Sequence, residues 1–160
     1  MTPDNPIIEL IDKYKPLQEK HKLPEFSKMN ELFDIEDIDP ESEFLIRKIR
    51  RTISEKVANY LRFTEIILNP SNAPMFFFKI LKKLDSDDKE SLSKIYEQLG
   101  KYELKILSLD IEYNVEEEVA FIKEMYKSFT NEIKDEFLKT IEKLNNGEEN
   151  SVKVDSSYLG

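Results

Sequence analysis

The feature that most constrains this chain is the stretch 39–69, whose pattern predicts one uninterrupted helix. Asp39 suits the N-cap, and Pro40 suits the first helical position, where a missing N–H leaves nothing unpaired. Asn69 is expected to end the helix because Pro70 disfavours the α region in the residue before it. Apolar residues spaced three and four apart form a seam for a partner helix, broken only by Lys56: Ile46, Ile49, Ile53, Tyr60, Phe63 and Ile67. At about 1.5 Å per residue, this helix would be about 45 Å long.

A second long helix is predicted from Ser86, where acidic residues in the first turn favour a helix start. Its seam runs through Leu92, Ile95, Leu99, Tyr102, Ile106, Leu109 and Tyr113. Gly100 falls between seam positions and is expected to lie inside one helix, with a kink or break at this point as the alternative. Pro74 begins a short helix over 74–84 that connects the two long ones, and so short a connection favours an antiparallel pair.

Two more helices are predicted towards the C-terminus. Asn114 and Glu117 form a capping pair for the first of them, and the chain restarts near Ser128 or Thr130 for the second. A loop of two or three residues would make these helices an antiparallel hairpin, and Asn146 with Gly147 would end the last one.

The part before the long helix reads as an arm. A short helix is predicted over Pro6–Tyr14, interrupted by Pro16, and another over Ser27–Phe33 with Ser27 as its cap. The predicted organisation is an N-terminal arm over 1–38, a bundle over 39–146 and a disordered tail over 147–160. The fold class is therefore all-α: an antiparallel helical bundle of about four main helices with a short proline-started connecting helix and an N-terminal helical arm.

Composition narrows the functional classes. The chain has 160 residues, which suits one domain, and it has no cysteine, which excludes disulfides, thiolate metal sites and cysteine nucleophiles. The net charge of −9 disfavours broad affinity for nucleic acid or anionic membrane. No stretch reads as a membrane span or a signal peptide, so a soluble protein of the cytoplasm is expected.

The connecting helix carries more apolar surface than one contact can cover. Phe76, Phe77 and Phe78 are consecutive, so they sweep about 200° of the helix circumference. Together with Leu81, they are predicted to bind a protein partner or a second copy of the chain in a homodimer. Cover by the N-terminal arm is the alternative within the chain.

A stripe of arginines on the first long helix is the second candidate site, for anions such as nucleic-acid phosphates. It comprises Arg47, Arg50, Arg51 and Arg62. The upstream carboxylates could neutralise it internally, and on that interpretation binding to nucleic acid stays in the weak, non-specific range.

Acidic residues offer a third possibility, a metal-dependent phosphate hydrolase. Such an enzyme holds its metal with carboxylates three or four apart on facing helices. Asp87 and Glu90 have this spacing, and Glu117, Glu118 and Glu124 offer it only superficially, since Glu124 follows the other two by about two helical turns. In a chain this acidic, the spacing also arises by chance. His21 is the only histidine and there is no glycine-rich phosphate loop, so no catalytic residue, metal ligand or cofactor is predicted. The leading hypothesis is a non-enzymatic helical interaction protein, a subunit or adaptor.

Overall fold

The computed structural model describes the backbone of residues 5–159 and the side chains of residues 5–71 and 73–146. The chain divides into two compact units. The first unit comprises Met1–Ala58 and Tyr102–Thr130, and the second comprises Asn59–Lys101 and Asn131–Gly160.

Seven α-helices are present in the described part of the chain, where 84% of residues are helical and no strand occurs. They are α1 (Pro6–His21), α2 (Phe26–Phe33), α3 (Leu45–Leu68), α4 (Met75–Leu81), α5 (Ser86–Ile111), α6 (Val115–Ser128) and α7 (Lys134–Leu159). Short 3-10 turns lie at Ile35–Asp37 and Pro70–Asn72. The predicted all-α helical bundle is confirmed. Among the described helices, none combines the length and the apolar character needed to cross a membrane.

The two long helices form as predicted in their central parts. Neither α3 nor α5 is interrupted, and the predicted core positions Ile53 and Leu99 are fully buried. The first unit holds the beginning of α3 and the end of α5, while the second holds the end of α3 and the beginning of α5. This opposite order is the one that an antiparallel pair requires.

The predicted start of α3 at Asp39 is wrong, because the helix begins at Leu45. The Asp39 carboxylate accepts a hydrogen bond from the N–H of Glu41 at 2.9 Å, which closes a local turn instead of capping a helix. Lys13 donates to the carbonyl of Pro40 at 2.7 Å, so a tertiary contact takes an oxygen that a helix would use. The observed helix of 24 residues is therefore about 36 Å long.

The predicted hairpin between the last two helices is also wrong. A π-helical turn over Phe129–Ile133 joins α6 directly to α7, with no loop. The buried residues Met125, Phe129, Ile133 and Phe137 follow one another at spacings of four. In a regular α-helix of about 3.6 residues per turn, positions four apart move gradually round the helix and would leave the buried face. The π turn has more residues per turn, so it brings these positions back to that face.

The N-terminal arm is more regular than the sequence suggested. Helix α1 continues through Pro16 to His21, so the predicted interruption at Pro16 is wrong. Proline removes one helical hydrogen bond, but the buried Leu10 and Tyr14 hold the helix in place. The Tyr14 hydroxyl donates to the carbonyl of Pro24 at 2.5 Å, and burial raises the pKa of this phenol well above its ordinary value.

The starts of three other helices lie at the predicted position or within one residue of it. Asn114 accepts from the N–H of Glu117 at 3.1 Å, which confirms the predicted cap of α6. At the start of α5, the cap is Asp85, whose carboxylate accepts a hydrogen bond from the N–H of Asp88 at 2.8 Å. In return, the Asp88 carboxylate accepts a hydrogen bond from the N–H of Asp85 at 3.0 Å. Ser27 lies inside α2, one residue past the helix start at Phe26.

The C-terminal end of α7 departs from its predicted stop. The helix spans Lys134–Leu159 and so continues past the Asn146–Gly147 pair. The side chains of 147–160 lie outside the described residues, and the prediction that this tail is disordered stays a prediction.

A first testable prediction concerns Gly100, which lies inside α5 with nothing within 4 Å of the place a Cβ would occupy. Gly100→Ala should therefore raise the free energy of unfolding by about 0.5–1 kcal/mol, because alanine loses less backbone freedom on folding. Urea denaturation of both proteins measures the change. A destabilised variant would show that the space around Gly100 is occupied in solution.

Candidate functional site

The exposed apolar surface on α4 is the candidate functional site. In this short helix of the second unit, Met75, Phe76 and Phe78 are exposed by 86%, 59% and 40%. Single exposed apolar side chains are common on protein surfaces, but a group of large ones side by side is unusual and marks an interaction site. We call Met75, Phe76 and Phe78 the α4 surface.

The other face of α4 anchors the helix. Ile80 and Leu81 are buried, and α4 packs against α7 within the second unit. Phe77 is half-buried, and its ring lies edge-on to Phe76 with the centroids 5.9 Å apart. Of the four predicted partner-binding residues, Phe76 and Phe78 face solvent, Phe77 is half-buried, and Leu81 belongs to the core.

The predicted arginine stripe is divided between the interior and the surface. Arg50 and Glu118 are both fully buried in the first unit, and Arg50 Nε lies 2.6 Å from Glu118 Oε2. Arg50 also contacts Asp110 Oδ1 at 2.7 Å and the Ser54 hydroxyl at 3.2 Å. This cluster, the Arg50 network, joins α3, α5 and α6.

The electrostatics of the Arg50 network keep the guanidinium charged. Burial acts to lower the pKa of Arg50, but the hydrogen bonds and negative charges of Glu118 and Asp110 raise it above its ordinary value. The neutralising carboxylates come from α5 and α6, whereas the sequence suggested the acidic run upstream of α3.

The remaining arginines lie nearer the surface. Arg47 donates to the Asp110 carbonyl at 3.3 Å, and its guanidinium carbon lies 5.2 Å from the centre of the Tyr113 ring. Arg51 and Arg62 are exposed. The structure thus separates the four arginines and brings only Arg47 and Arg50 to one neighbourhood, around Asp110.

An exposed apolar stripe on α5 was missed by the sequence prediction. Leu104, Leu107 and Ile111 project from the outward face of the helix in the first unit. Their spacing of three and four places them on one side, opposite the buried Tyr102, Ile106 and Leu109. The clue was available, since this second apolar stripe follows the same period as the seam.

The acidic residues considered as metal ligands bind cationic groups of the chain itself or lie apart. Glu118 belongs to the Arg50 network, and Glu117 lies 3.4 Å from Lys105. An open cavity of about 540 Å³ near the start of α1 is bordered by five carboxylates: Glu9, Glu36, Asp37, Asp39 and Glu41. Among the residues that the structure describes, no three His, Asp or Glu side chains gather in a metal-binding arrangement.

Another ion pair lies in the second unit, where Lys143 Nζ donates to the largely buried Asp88 at 2.5 Å. This bond, together with the backbone N–H of Asp85 and the charge of Lys143, holds the pKa of the Asp88 carboxyl below its ordinary value, although burial acts in the opposite direction. Asp88 therefore links the start of α5 to α7.

The Arg50 network generates the second prediction. Glu118→Ala leaves a buried guanidinium without its main counter-charge, and we expect it to lower the free energy of unfolding by about 3–5 kcal/mol. The matched control is Glu117→Ala, whose exposed pair with Lys105 should contribute about 1 kcal/mol or less. Chemical denaturation compares the two variants, and equal losses would contradict the burial of the pair.

The third prediction concerns Asp88 and pH. Because the pKa of Asp88 is lower in the folded than in the unfolded chain, its ionised form stabilises the fold above the ordinary aspartate range. This contribution is lost as the pH falls through the folded-state pKa. The urea midpoint of Asp88→Asn should therefore fall less than that of the wild type between about pH 6 and about pH 2. Asp87→Asn, an exposed neighbour, is the control, and identical pH profiles for wild type and Asp88→Asn would refute the assignment.

No family model, curated protein or solved structure matches this chain.

Proposed function

We propose that this chain is a non-enzymatic helical interaction protein, a subunit or adaptor that holds a protein partner through the α4 surface. The supporting observation is the exposure of Met75, Phe76 and Phe78 on a helix whose opposite face is anchored in the second unit. An anchored helix presents these side chains in a defined arrangement, so a partner does not have to order them on binding.

The energetics suit such a role. Burying a Phe or Met side chain completely contributes about 1.5–3 kcal/mol relative to leaving it in water. Aromatic anchors also dominate the energetics of many protein interfaces. Three such side chains can form the centre of an interface, with polar neighbours around them.

A second copy of the chain is the alternative partner. Two-fold dimers are the commonest oligomers, and in such a dimer the α4 surface would pair with its own copy. Light scattering of the purified protein at micromolar concentration separates the possibilities, because a homodimer doubles the mass and Phe76→Asp, at an exposed position of the α4 surface, should return it to monomer. A cytoplasmic location also belongs to this proposal, supported by the absence of cysteine.

The fourth prediction tests the α4 surface directly. Tagged wild-type protein and a Phe76→Ser/Phe78→Ser variant are expressed in source cells, and the co-purifying proteins are quantified by mass spectrometry. We expect the variant to recover about tenfold less of at least one partner, because two anchors are lost.

The chain offers a closely matched control. Ile7 on α1 has the same exposed fraction as Phe78 on α4, 40%, and Ile8 has the same exposed fraction as Phe76, 59%. Ile7→Ser/Ile8→Ser should therefore remove a similar exposed fraction of apolar side chain while leaving recovery of the partner unchanged. Equal recovery by wild type and the phenylalanine variant would refute the proposed function.

A further inference from the structure

We infer that the partner of the α4 surface is an acidic amphipathic helix, one that carries apolar side chains on one face with Asp or Glu beside them. This inference rests on the proposed function and adds the chemistry of the partner. It is carried by the charges of the segment that contains α4, which differ in sign from the net charge of the chain as a whole.

Residues 66–84 contain no Asp or Glu, although the chain has 33 acidic residues. The same segment contains three lysines: Lys79, Lys82 and Lys83. The apolar side chains of the α4 surface therefore lie in a basic segment of an acidic protein.

Two of these lysines can reach a partner. Lys79 and Lys82 are exposed, and neither forms an ion pair with another described residue. Lys79 lies one helical turn from Met75 and Phe76, and Lys82 follows Phe78 at the same spacing. A partner helix that covers the α4 surface would therefore bring its own flanking side chains next to these two ammonium groups, where carboxylates are attracted and ammonium groups are repelled.

A membrane would offer the same combination of apolar and anionic groups, but the protein's overall charge favours a helix. A flat anionic surface faces a whole side of the protein and is repelled by the summed field of a chain with net charge −9. A single helix touches only the local patch, and charges more than about 8 Å away are largely screened at physiological ionic strength.

A second copy of the α4 surface is disfavoured by the same charges. In a two-fold contact, each surface meets its own copy, so the lysines at the edge of one would lie near those of the other. Like charges brought together in this way oppose association.

The inference is tested with synthetic peptides of about 18 residues, or five helical turns. The acidic probe has Leu and Phe on one face and Glu beside them. The basic probe replaces every Glu with Lys, and a scrambled acidic probe keeps the composition without the apolar face. Fluorescence anisotropy should show the acidic probe binding wild type about tenfold more tightly than either of the others.

Charge reversal on the protein provides the decisive comparison. Lys79→Glu/Lys82→Glu should lose the preference for the acidic probe and gain one for the basic probe. The control Lys94→Glu/Lys101→Glu changes the net charge equally at two exposed positions of α5 and should keep the wild-type preference. Circular dichroism confirms that each variant is folded before binding is measured.

Three outcomes would overturn the inference: equal binding of acidic and basic probes, no effect of the Lys79→Glu/Lys82→Glu change, or binding to phosphatidylserine vesicles without binding to the acidic probe. The last would assign the surface to lipid. If the Phe76→Ser/Phe78→Ser variant loses a cellular partner while charge reversal has no effect on the probes, the proposed function stands and only the inferred chemistry of the partner fails.

Discussion

The buried ion pair between Arg50 and Glu118 is the interaction on which the first unit depends. Removing two charges from water is costly, and the cost is offset only where geometry is good and the remaining hydrogen-bonding groups are satisfied. Asp110 and Ser54 provide those further contacts. Apolar seams can pack in more than one register, whereas a guanidinium buried at one place has to meet its carboxylate. We therefore interpret the Arg50 network as the contact that sets the alignment of α3, α5 and α6.

The α4 surface follows the opposite principle. In the Arg50 network, groups that prefer water are buried and satisfied by the chain itself. On α4, Met75, Phe76 and Phe78 prefer to be buried but remain in water. The exposed lysines beside them also lack partners among the described residues. A partner helix with apolar and acidic side chains would cover the apolar groups and pair with the lysines at once, and this is the basis on which we propose binding rather than catalysis for the α4 surface.

Local chemistry explains where sequence prediction succeeded. The Asn114 cap, the start of α5 at Ser86 and the unbroken helix through Gly100 depend on neighbouring residues and could be recognised without coordinates. Predictions failed where distant residues intervened. Lys13 binds the Pro40 carbonyl, and the packing of α1 outweighs the effect of Pro16. Burial at four-residue spacing replaces the expected loop after α6 with a π turn.

The sequence by itself determined the helical class, the two long seams and the excess of apolar side chains around Phe77, because period and composition are local properties. Only the tertiary structure decided which member of each pattern is buried. It directs Arg50 inward to Glu118 while Arg51 stays outside, and it buries Leu81 while Phe76 and Phe78 remain exposed. Adjacent residues on a helix point about 100° apart, so their fates depend on what packs against each side. That information belongs to the neighbouring helices and is absent from any single stretch of chain.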